Sequence, residues 1–304
     1  FKNKTKFRKF KFKKSYIMAD LAPKIKKPKI KLQINDGYRF VNDIVNNHGL
    51  NTVCVEANCP NIFECWNRGT ATIMILGDVC TRACGFCAVK TGKPTWDDPL
   101  EPIKTAMAVK KMNLKHVVIT SVDRDDIKYD YGASIWAKTI KEIHKYNPEC
   151  TVEVLTPDFK GNKLSLEKVF NASPDIFSHN VECVERISKN VRTQANWRKS
   201  LNVLKQSSDY GLLTKTGIMV GLGETFDEVI KTMHQVFNMG VSIFTIGQYL
   251  QPTKNHLRVH RYVEDSEFQK YKDIGLEIGF KVVESGSLVR SSYHADEQAK
   301  LSFK

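Results

Sequence analysis

The sequence predicts an α/β fold, a partial TIM-type (β/α)6 barrel in which parallel strands alternate with helices. Six short apolar runs have the length and composition of strands that are buried on both faces. Helical patterns with one apolar face lie between them. The glycine pair in residues 221–224 is too short for the dinucleotide fingerprint of an open sheet, which favours the barrel. The predicted strands are residues 72–76, 116–120, 151–155, 175–179, 216–220 and 243–247.

Two helices stand out among the predicted elements. Residues 36–49 predict a short amphipathic helix that a glycine closes. Residues 225–239 keep apolar side chains at helical spacing, with Thr225 and Glu228 as a capping box. Ligands of such barrels bind at the carboxyl ends of the strands, and polar clusters follow four of the predicted strands there. These clusters are residues 121–126, 157–158, 179–180 and 248.

Length and composition indicate a globular protein. The 304 residues, of which 41% are hydrophobic, can supply a buried core. No apolar run reaches the roughly 18 residues that a membrane-spanning helix needs, so no membrane association is expected. The net charge of +14 is concentrated in residues 1–31, which hold thirteen Lys and Arg and one acid, Asp20. The remaining residues carry 34 basic and 32 acidic side chains, so no nucleic-acid partner is expected.

The basic segment predicts a targeting-derived leader. It contains few acids, in the manner of organelle transit sequences, and a linker with Pro23 and Pro28 follows it. We therefore expect an organellar destination, either plastid-like (apicoplast) or mitochondrial. A solvated leader without targeting content is the alternative.

Six of the eight cysteines form two sets of three. The upstream cysteine set is Cys54, Cys59 and Cys65, and the downstream cysteine set is Cys80, Cys84 and Cys87, directly after the first predicted strand. Three thiolates can bind three irons of a cubane cluster and leave the fourth iron open, whereas a structural zinc site closes with four ligands. Two adjacent sets therefore favour a protein with two iron–sulfur clusters. A zinc knuckle and incidental buried thiols remain alternatives, and Cys150 and Cys183 are interpreted as core thiols.

The carboxyl-terminal residues 285–296 show no periodic pattern, and we predict a loop there. They nevertheless contain the tetrapeptide Arg290-Ser291-Ser292-Tyr293. With this tetrapeptide and both cysteine sets, residues 36–298 resemble the lipoyl synthase family of the radical S-adenosylmethionine superfamily. Further segments carry the resemblance: residues 118–126, 153–159 and 214–225.

The resemblance implies two [4Fe–4S] clusters and S-adenosylmethionine as cofactors. The downstream cysteine set would hold the catalytic cluster, and the upstream set would hold an auxiliary cluster with Ser292 as its oxygen ligand. Arg290, Ser291 and Tyr293 would position Ser292, and the carboxyl-terminal segment would close over the auxiliary cluster. We also expect contacts to S-adenosylmethionine from four residues: Ser121, Asp123, Glu153 and Asn180.

The implied reaction inserts two sulfur atoms at C6 and C8 of an octanoyl group on a carrier protein, with sulfur from the auxiliary cluster. No acidifying group activates these carbons, so a general base cannot remove their hydrogens and a radical is required. The implied partners are an octanoylated lipoyl carrier domain of a 2-oxoacid dehydrogenase or the glycine cleavage H protein, an electron donor such as ferredoxin or flavodoxin, and an iron–sulfur carrier.

Four regions follow from this interpretation. They are a basic leader and linker (1–35), an auxiliary-cluster extension (36–70), the partial barrel (71–280) and a carboxyl-terminal segment (281–304). Tyr131 departs from the family, which has glycine at this point, and a different local loop is expected because tyrosine does not easily adopt a positive φ. Two other functions remain open: a non-catalytic iron–sulfur or zinc protein whose tail binds nucleic acid, and a radical enzyme that thiolates a small molecule.

Overall fold

The computed structural model describes Pro28 and residues 33–68, 70–95 and 98–302. Nearly all of the predicted leader therefore lies outside the described residues. The strands are β1 (Asn51–Thr52), β2 (Thr72–Ile75), β3 (His116–Ser121), β4 (Thr151–Leu155), β5 (Ile176–Ser178), β6 (Leu213–Val220), β7 (Ile243–Gln248) and β8 (Val282–Gly286). The helices are α1 (Asp36–Asn47), α2 (Val53–Glu56), α3 (Ile62–Asn67), α4 (Glu101–Lys111), α5 (Ala133–Tyr146), α6 (Lys163–Phe170), α7 (Glu185–Val191), α8 (Trp197–Asp209), α9 (Phe226–Phe237), α10 (Asp265–Ile278) and α11 (Ala295–Ser302). Among these helices, none combines the length and the apolar character that crossing a bilayer requires.

One sheet organises the molecule. Its strands follow each other in chain order from β1 to β8; β2 to β8 are parallel, and β1 is antiparallel to β2. The register places Thr72 beside Val118 and His116 beside Thr151. Strands β2 and β7 are buried along their whole length, since helices cover the outer face and side chains fill the inner face. Because β1 and β8 are the edges, the barrel is partial and open, as the sequence predicts.

All six predicted strands are confirmed to within a few residues. The sequence interpretation was wrong about Ser285 and Gly286, which belong to strand β8 and not to a loop. Only the first two residues of β8 are buried, so its apolar signal is short. The helix predicted at 36–49 ends at Asn47, and the predicted capping box of α9 is present.

Among the described residues, two large apolar clusters and one small cluster around Ile176 and Ile243 form the core. The first packs β2, β3 and β4 against α4 and α5 around Trp136, and the second packs β6 and β7 against α9 and α10 around Met233 and Tyr271. Cys150 lies in the first cluster and Cys183 in the second, both buried as free thiols. Their interpretation as core thiols is confirmed.

The segment before the barrel contacts the segment after it. Tyr38 of α1 packs against Trp66 of α3 with ring centroids 5.0 Å apart. Asn61 Nδ2 donates a hydrogen bond of 2.7 Å to the Leu288 carbonyl, and Arg68 forms a 2.7 Å ion pair with Glu297. These contacts bring residues more than 220 positions apart in the sequence to one face of the barrel.

Tyr131 adopts a left-handed conformation with φ of 56°, although its side chain makes that conformation unfavourable. Its N–H donates a 2.8 Å hydrogen bond to the Ile127 carbonyl, and its ring packs against the first apolar cluster. These contacts offset a backbone strain of about 1 to 2 kcal/mol. The backbone therefore keeps a turn here that glycine would adopt without strain.

Candidate active site

A cavity of about 520 Å³ opens at the carboxyl ends of the strands. All three thiols of the downstream cysteine set line it, together with Cys59 of the upstream set and Ser292 from the carboxyl-terminal segment. Residues that follow β3, β4 and β5 complete the wall, as expected for a parallel barrel. One cavity therefore joins both cysteine sets.

The downstream cysteine set lies on the loop that leaves β2, and backbone hydrogen bonds fix this loop. Cys80 N–H donates to the Lys90 carbonyl (2.8 Å), and Gly85 N–H donates to the Val191 carbonyl (3.0 Å). Cys80 Sγ accepts hydrogen bonds of 3.4 Å from the N–H groups of Arg82 and Asp123. Burial and the Asp123 carboxylate raise the pKa of Cys80, and these two hydrogen bonds only partly offset that rise.

Arg82 is the buried centre of an ionic network beneath this loop. Its side chain is 2% exposed and contacts three carboxylates: Asp123 at 3.2 Å, Asp125 at 2.9 Å and Asp158 at 2.7 Å. Although burial alone would raise the pKa of Asp158, hydrogen bonds from Arg82 lower it to about 2. Lys160 approaches Asp125 to 2.7 Å from the other side. The network ties the cysteine loop to the ends of β3 and β4.

The upstream cysteine set surrounds a second, smaller pocket. Cys54, Cys59 and Cys65 line it, and so do Ser292 and Arg290. Cys54 follows the cap of α2, and Cys65 lies within α3, so two short helices hold the outer thiols. The sequence-predicted group of three thiols and one serine therefore lies in one place.

Hydrogen bonds hold the tetrapeptide of residues 290–293 in this pocket. Thr72 Oγ1 donates a 2.8 Å hydrogen bond to Ser292 Oγ, and Asn180 Nδ2 donates a 2.6 Å hydrogen bond to Ser291 Oγ. Tyr293 donates its hydroxyl to a carboxylate of α3, that of Glu64, at 3.0 Å. Each of the three side chains is thus anchored by a different segment, and Ser292 lines the same pocket as the thiols.

The chemistry of both cysteine sets fits iron–sulfur clusters. Burial raises the pKa of Cys54 and Cys87 to about 11 and that of Cys65 and Cys84 to about 12, so a bound cation must displace these protons. Across the described ranges, no three His, Cys, Asp or Glu side chains converge closely enough to hold a single metal ion. Each set offers three thiols to one pocket or cavity, which matches a cluster in which each thiolate binds a different iron.

The residues predicted to contact S-adenosylmethionine divide into two groups. Ser121, Asp123 and Asn180 line the cavity. Glu153 does not, because its fully buried carboxylate points to Lys215 at 2.8 Å and lies 3.7 Å from His116 Nε2. Burial raises the pKa of Asp123 to about 6 despite the neighbouring Arg82. Three of the four residues therefore remain available to a ligand in the cavity.

Sequence reasoning missed three charged residues of the cavity: Arg82, described above, Glu182 and Arg192. Glu182 has φ of 68°, and burial raises its pKa. Arg192 Nη1 donates to the carbonyls of Asn180 and Val181, each at 3.3 Å. Glu182 lies two residues after the predicted polar cluster 179–180, which is a signal that could have found it. No comparable signal marks Arg192, which comes from the end of α7.

Comparison with known proteins identifies the relatives of this chain. The model of the Radical SAM superfamily matches residues 74–236. The chain is 51% identical over 276 residues to the mitochondrial lipoyl synthase of Nematostella vectensis, covering 90% of this chain and 94% of that protein. It is 54% identical over 275 residues to the lipoyl synthase of Rubrobacter xylanophilus, covering 89% and 85% respectively.

Solved structures share the fold at low sequence identity. SuiB of Streptococcus suis bound to S-adenosylmethionine aligns with a TM-score of 0.56 and 9% identity, covering 75% of this chain and 55% of that one. Methylornithine synthase aligns with a TM-score of 0.52 and 11% identity, covering 86% and 82%. At this low identity, the two structural similarities show only that the fold is shared.

Proposed function

Since the chain belongs to the lipoyl synthase family of the radical S-adenosylmethionine superfamily, we propose that it inserts two sulfur atoms at C6 and C8 of a protein-bound octanoyl group. The observation that carries this proposal is the single cavity lined by residues of both cysteine sets. A chain half identical to lipoyl synthases over nine-tenths of its length is an enzyme, so the non-catalytic alternative is set aside.

The residues support a division of labour between the two cysteine sets. Cys80, Cys84 and Cys87 would hold the [4Fe–4S] cluster of the superfamily, while Cys54, Cys59, Cys65 and Ser292 would hold an auxiliary one. When bound, the former supplies the electron that cleaves S-adenosylmethionine to a 5′-deoxyadenosyl radical, and the latter supplies sulfur. The tasks left to the chain are to orient the acyl chain between the two sets and to exclude water.

Ser292 is the residue on which release of sulfur would depend. An alkoxide is a harder ligand than a thiolate, so iron that prefers sulfur binds it less firmly. The hydrogen bond from Thr72 Oγ1 to Ser292 Oγ stabilises negative charge on that oxygen, and it remains as a partner when the oxygen leaves a metal. Arg290 lines both pockets and would add positive charge between them.

Ser121, Asp123 and Asn180 would contact S-adenosylmethionine. All three project from strand ends into the cavity beside the downstream cysteine set. Asn180 also donates to Ser291, so one amide would connect the cofactor site to the tetrapeptide. That connection would couple cofactor binding to the position of Ser292.

The partners in this proposal follow from the reaction. The substrate would be an octanoylated carrier domain of a 2-oxoacid dehydrogenase or the glycine cleavage H protein, and ferredoxin or flavodoxin would supply electrons. An iron–sulfur carrier would rebuild the auxiliary cluster. An organellar location, mitochondrial or plastid-like, accords with the acid-poor segment of residues 1–31, although the relatives include both mitochondrial and bacterial proteins.

Mass spectrometry tests the proposed function. Anaerobically reconstituted protein should contain about eight irons and should add two sulfur atoms to an octanoylated carrier-domain peptide, given S-adenosylmethionine and dithionite. Cys59→Ala should lose about half of the iron and the sulfur-containing product, whereas Cys183→Ala, a thiol of the second apolar cluster, should keep both. Stoichiometric zinc, or an unmodified peptide after cofactor cleavage, would contradict the proposal.

A further inference from the structure

A basic loop covers the downstream cysteine set. The loop between β7 and α10, residues 249–264, contains three Lys and Arg and two His, and its one acid, Glu264, is its last residue. Residues 79–95, which carry the downstream cysteine set, contain no acid and three Lys and Arg, but Arg82 is buried among carboxylates and Lys90 lies 3.9 Å from Asp78, so Lys93 is the cation that this stretch adds to the surface. Elsewhere the body of the chain is nearly balanced in charge, so the exposed cations of the β7–α10 loop, Lys254 and Arg258, form a local basic surface beside this stretch.

The two stretches are in direct contact. Leu257 N–H donates a 2.9 Å hydrogen bond to the Gly85 carbonyl, and His256 Nε2 lies 2.9 Å from the Cys87 carbonyl. Tyr249 donates its hydroxyl to the Leu257 carbonyl at 2.7 Å, which fixes the loop from the cavity side. The loop is therefore a packed wall directly against the peptides that carry Cys84 and Cys87.

The wall has an apolar inner side and a basic outer side. Residues 249–252 line the cavity, whereas Lys254 and Arg258 are exposed. Arg261 is neutralised by Glu267 at 2.6 Å, but Lys254 and Arg258 have no carboxylate within ion-pair distance in the part of the chain that the structure describes. These two cations are thus available to a partner.

Resting on the proposed function, we propose that the outer side of this wall is the docking surface for an acidic one-electron carrier protein. Lys254 and Arg258 would pair with carboxylates of the carrier, and the wall would separate the two redox centres by packed protein. One electron leaves the carrier, which is oxidised, and the [4Fe–4S] cluster of the downstream set gains it. No bond or proton moves between the two proteins.

The geometry favours an electron carrier over the octanoylated domain. An electron crosses packed protein, whereas an acyl chain needs an opening into the cavity, and the loop closes this side with residues 249–252. Electron-transfer complexes are also typically small and steered by charge, so two or three exposed cations are sufficient. The basic outer side therefore suits transient docking.

Charge reversal tests the docking surface. The double variant Lys254→Glu/Arg258→Glu of the reconstituted enzyme is compared with a matched control, Lys138→Glu/Lys141→Glu, on the exposed face of α5. Two rates of 5′-deoxyadenosine formation are measured, one driven by ferredoxin with its reductase and one by dithionite. Binding of oxidised ferredoxin is measured in parallel by surface plasmon resonance at low and high NaCl.

The expected result is specific to the protein donor. The double variant should lose about tenfold or more in ferredoxin-driven rate and in ferredoxin affinity at low salt, keep its dithionite-driven rate, and show a weaker salt dependence than the wild type. Unchanged ferredoxin affinity would overturn the proposal. The proposal would also be overturned if the double variant lost only the dithionite-driven insertion of sulfur into the carrier domain. That result would assign the surface to docking of the carrier domain. The wild-type dithionite reaction tests the proposed function separately.

Discussion

Replacement of Arg82 by alanine should both destabilise the protein and loosen the downstream cysteine loop. The change removes the only cation within 3.2 Å of Asp158 and Asp123 among the described residues and leaves their carboxylates in a buried network. Removing one partner of a buried ion pair costs about 3 to 5 kcal/mol, because the remaining charge loses its compensation. For a chain of this size, that loss lowers Tm by about 5 to 8 °C.

The variant Arg82→Lys separates the effect of the positive charge from the effect of the guanidinium geometry. Arg82 binds Asp125 through both Nε and Nη2, and a lysine cannot reproduce this fork. Arg82→Lys should therefore lose about half as much stability as Arg82→Ala. Arg186→Ala is the matched control, because Arg186 also binds one carboxylate, that of Glu228, through two nitrogens but is 56% exposed. It should unfold near the wild-type temperature.

Two assays measure the Arg82 variants. Thermal unfolding of the metal-free proteins, followed by circular dichroism, gives Tm. Iron content and dithionite-driven formation of 5′-deoxyadenosine report on the downstream cysteine set. Arg82→Ala should bind less iron and should form 5′-deoxyadenosine more slowly than the wild type. A wild-type Tm together with wild-type cleavage in Arg82→Ala would refute the assignment of the network as the support of the loop.

Three further predictions concern separate parts of the molecule. Ser292→Ala should still cleave S-adenosylmethionine but form little lipoyl product by mass spectrometry; normal product would contradict its role as a ligand. Burial raises the pKa of Glu101 to about 8, so the proton it holds stabilises the fold below its unfolded pKa and this stability is lost as pH rises toward about 8. Between about pH 6 and pH 9, the free energy of unfolding measured in urea should fall by about 2 to 3 kcal/mol more for the wild type than for Glu101→Gln. If the free energies of unfolding of the two proteins change in parallel with pH, the raised pKa of Glu101 is excluded. Gly247→Ala places a Cβ 2.0 Å from the Val289 carbonyl and should cost about 1 to 3 kcal/mol in the same assay, whereas Gly286→Ala, whose nearest contact is 3.4 Å, should be tolerated; equal stability of the two variants would argue against this close approach.

The barrel was predictable because its strands are buried on both faces. Strands β2 and β7 are buried along their whole length and are mostly apolar, a composition that the sequence displays directly. Strand β8 was not predictable in full, because Ser285 and Gly286 are only partly buried and carry no apolar signal. Its pairing with β7 supplies the evidence that the sequence lacks.

The candidate site was predictable where spacing is local and not where distant residues meet. The two cysteine sets are visible as spacings, and the tetrapeptide at 290–293 is visible as a motif. The partner of Glu153 is Lys215, 62 positions away, and no periodicity indicates which buried carboxylate a barrel lysine will meet. Arg82 likewise collects carboxylates from two different strand ends, a convergence that only the folded chain provides.

The hydrogen bond between Thr72 and Ser292 spans 220 positions, which has a consequence for synthesis. At about 5 to 20 residues per second, the ribosome makes Ser292 some 10 to 45 s after Thr72. All six cysteines of the two sets emerge long before the oxygen that completes the upstream group. A nascent chain can therefore expose three thiols whose coordination shell is incomplete. The timing of metal delivery relative to translation then becomes a determinant of correct maturation.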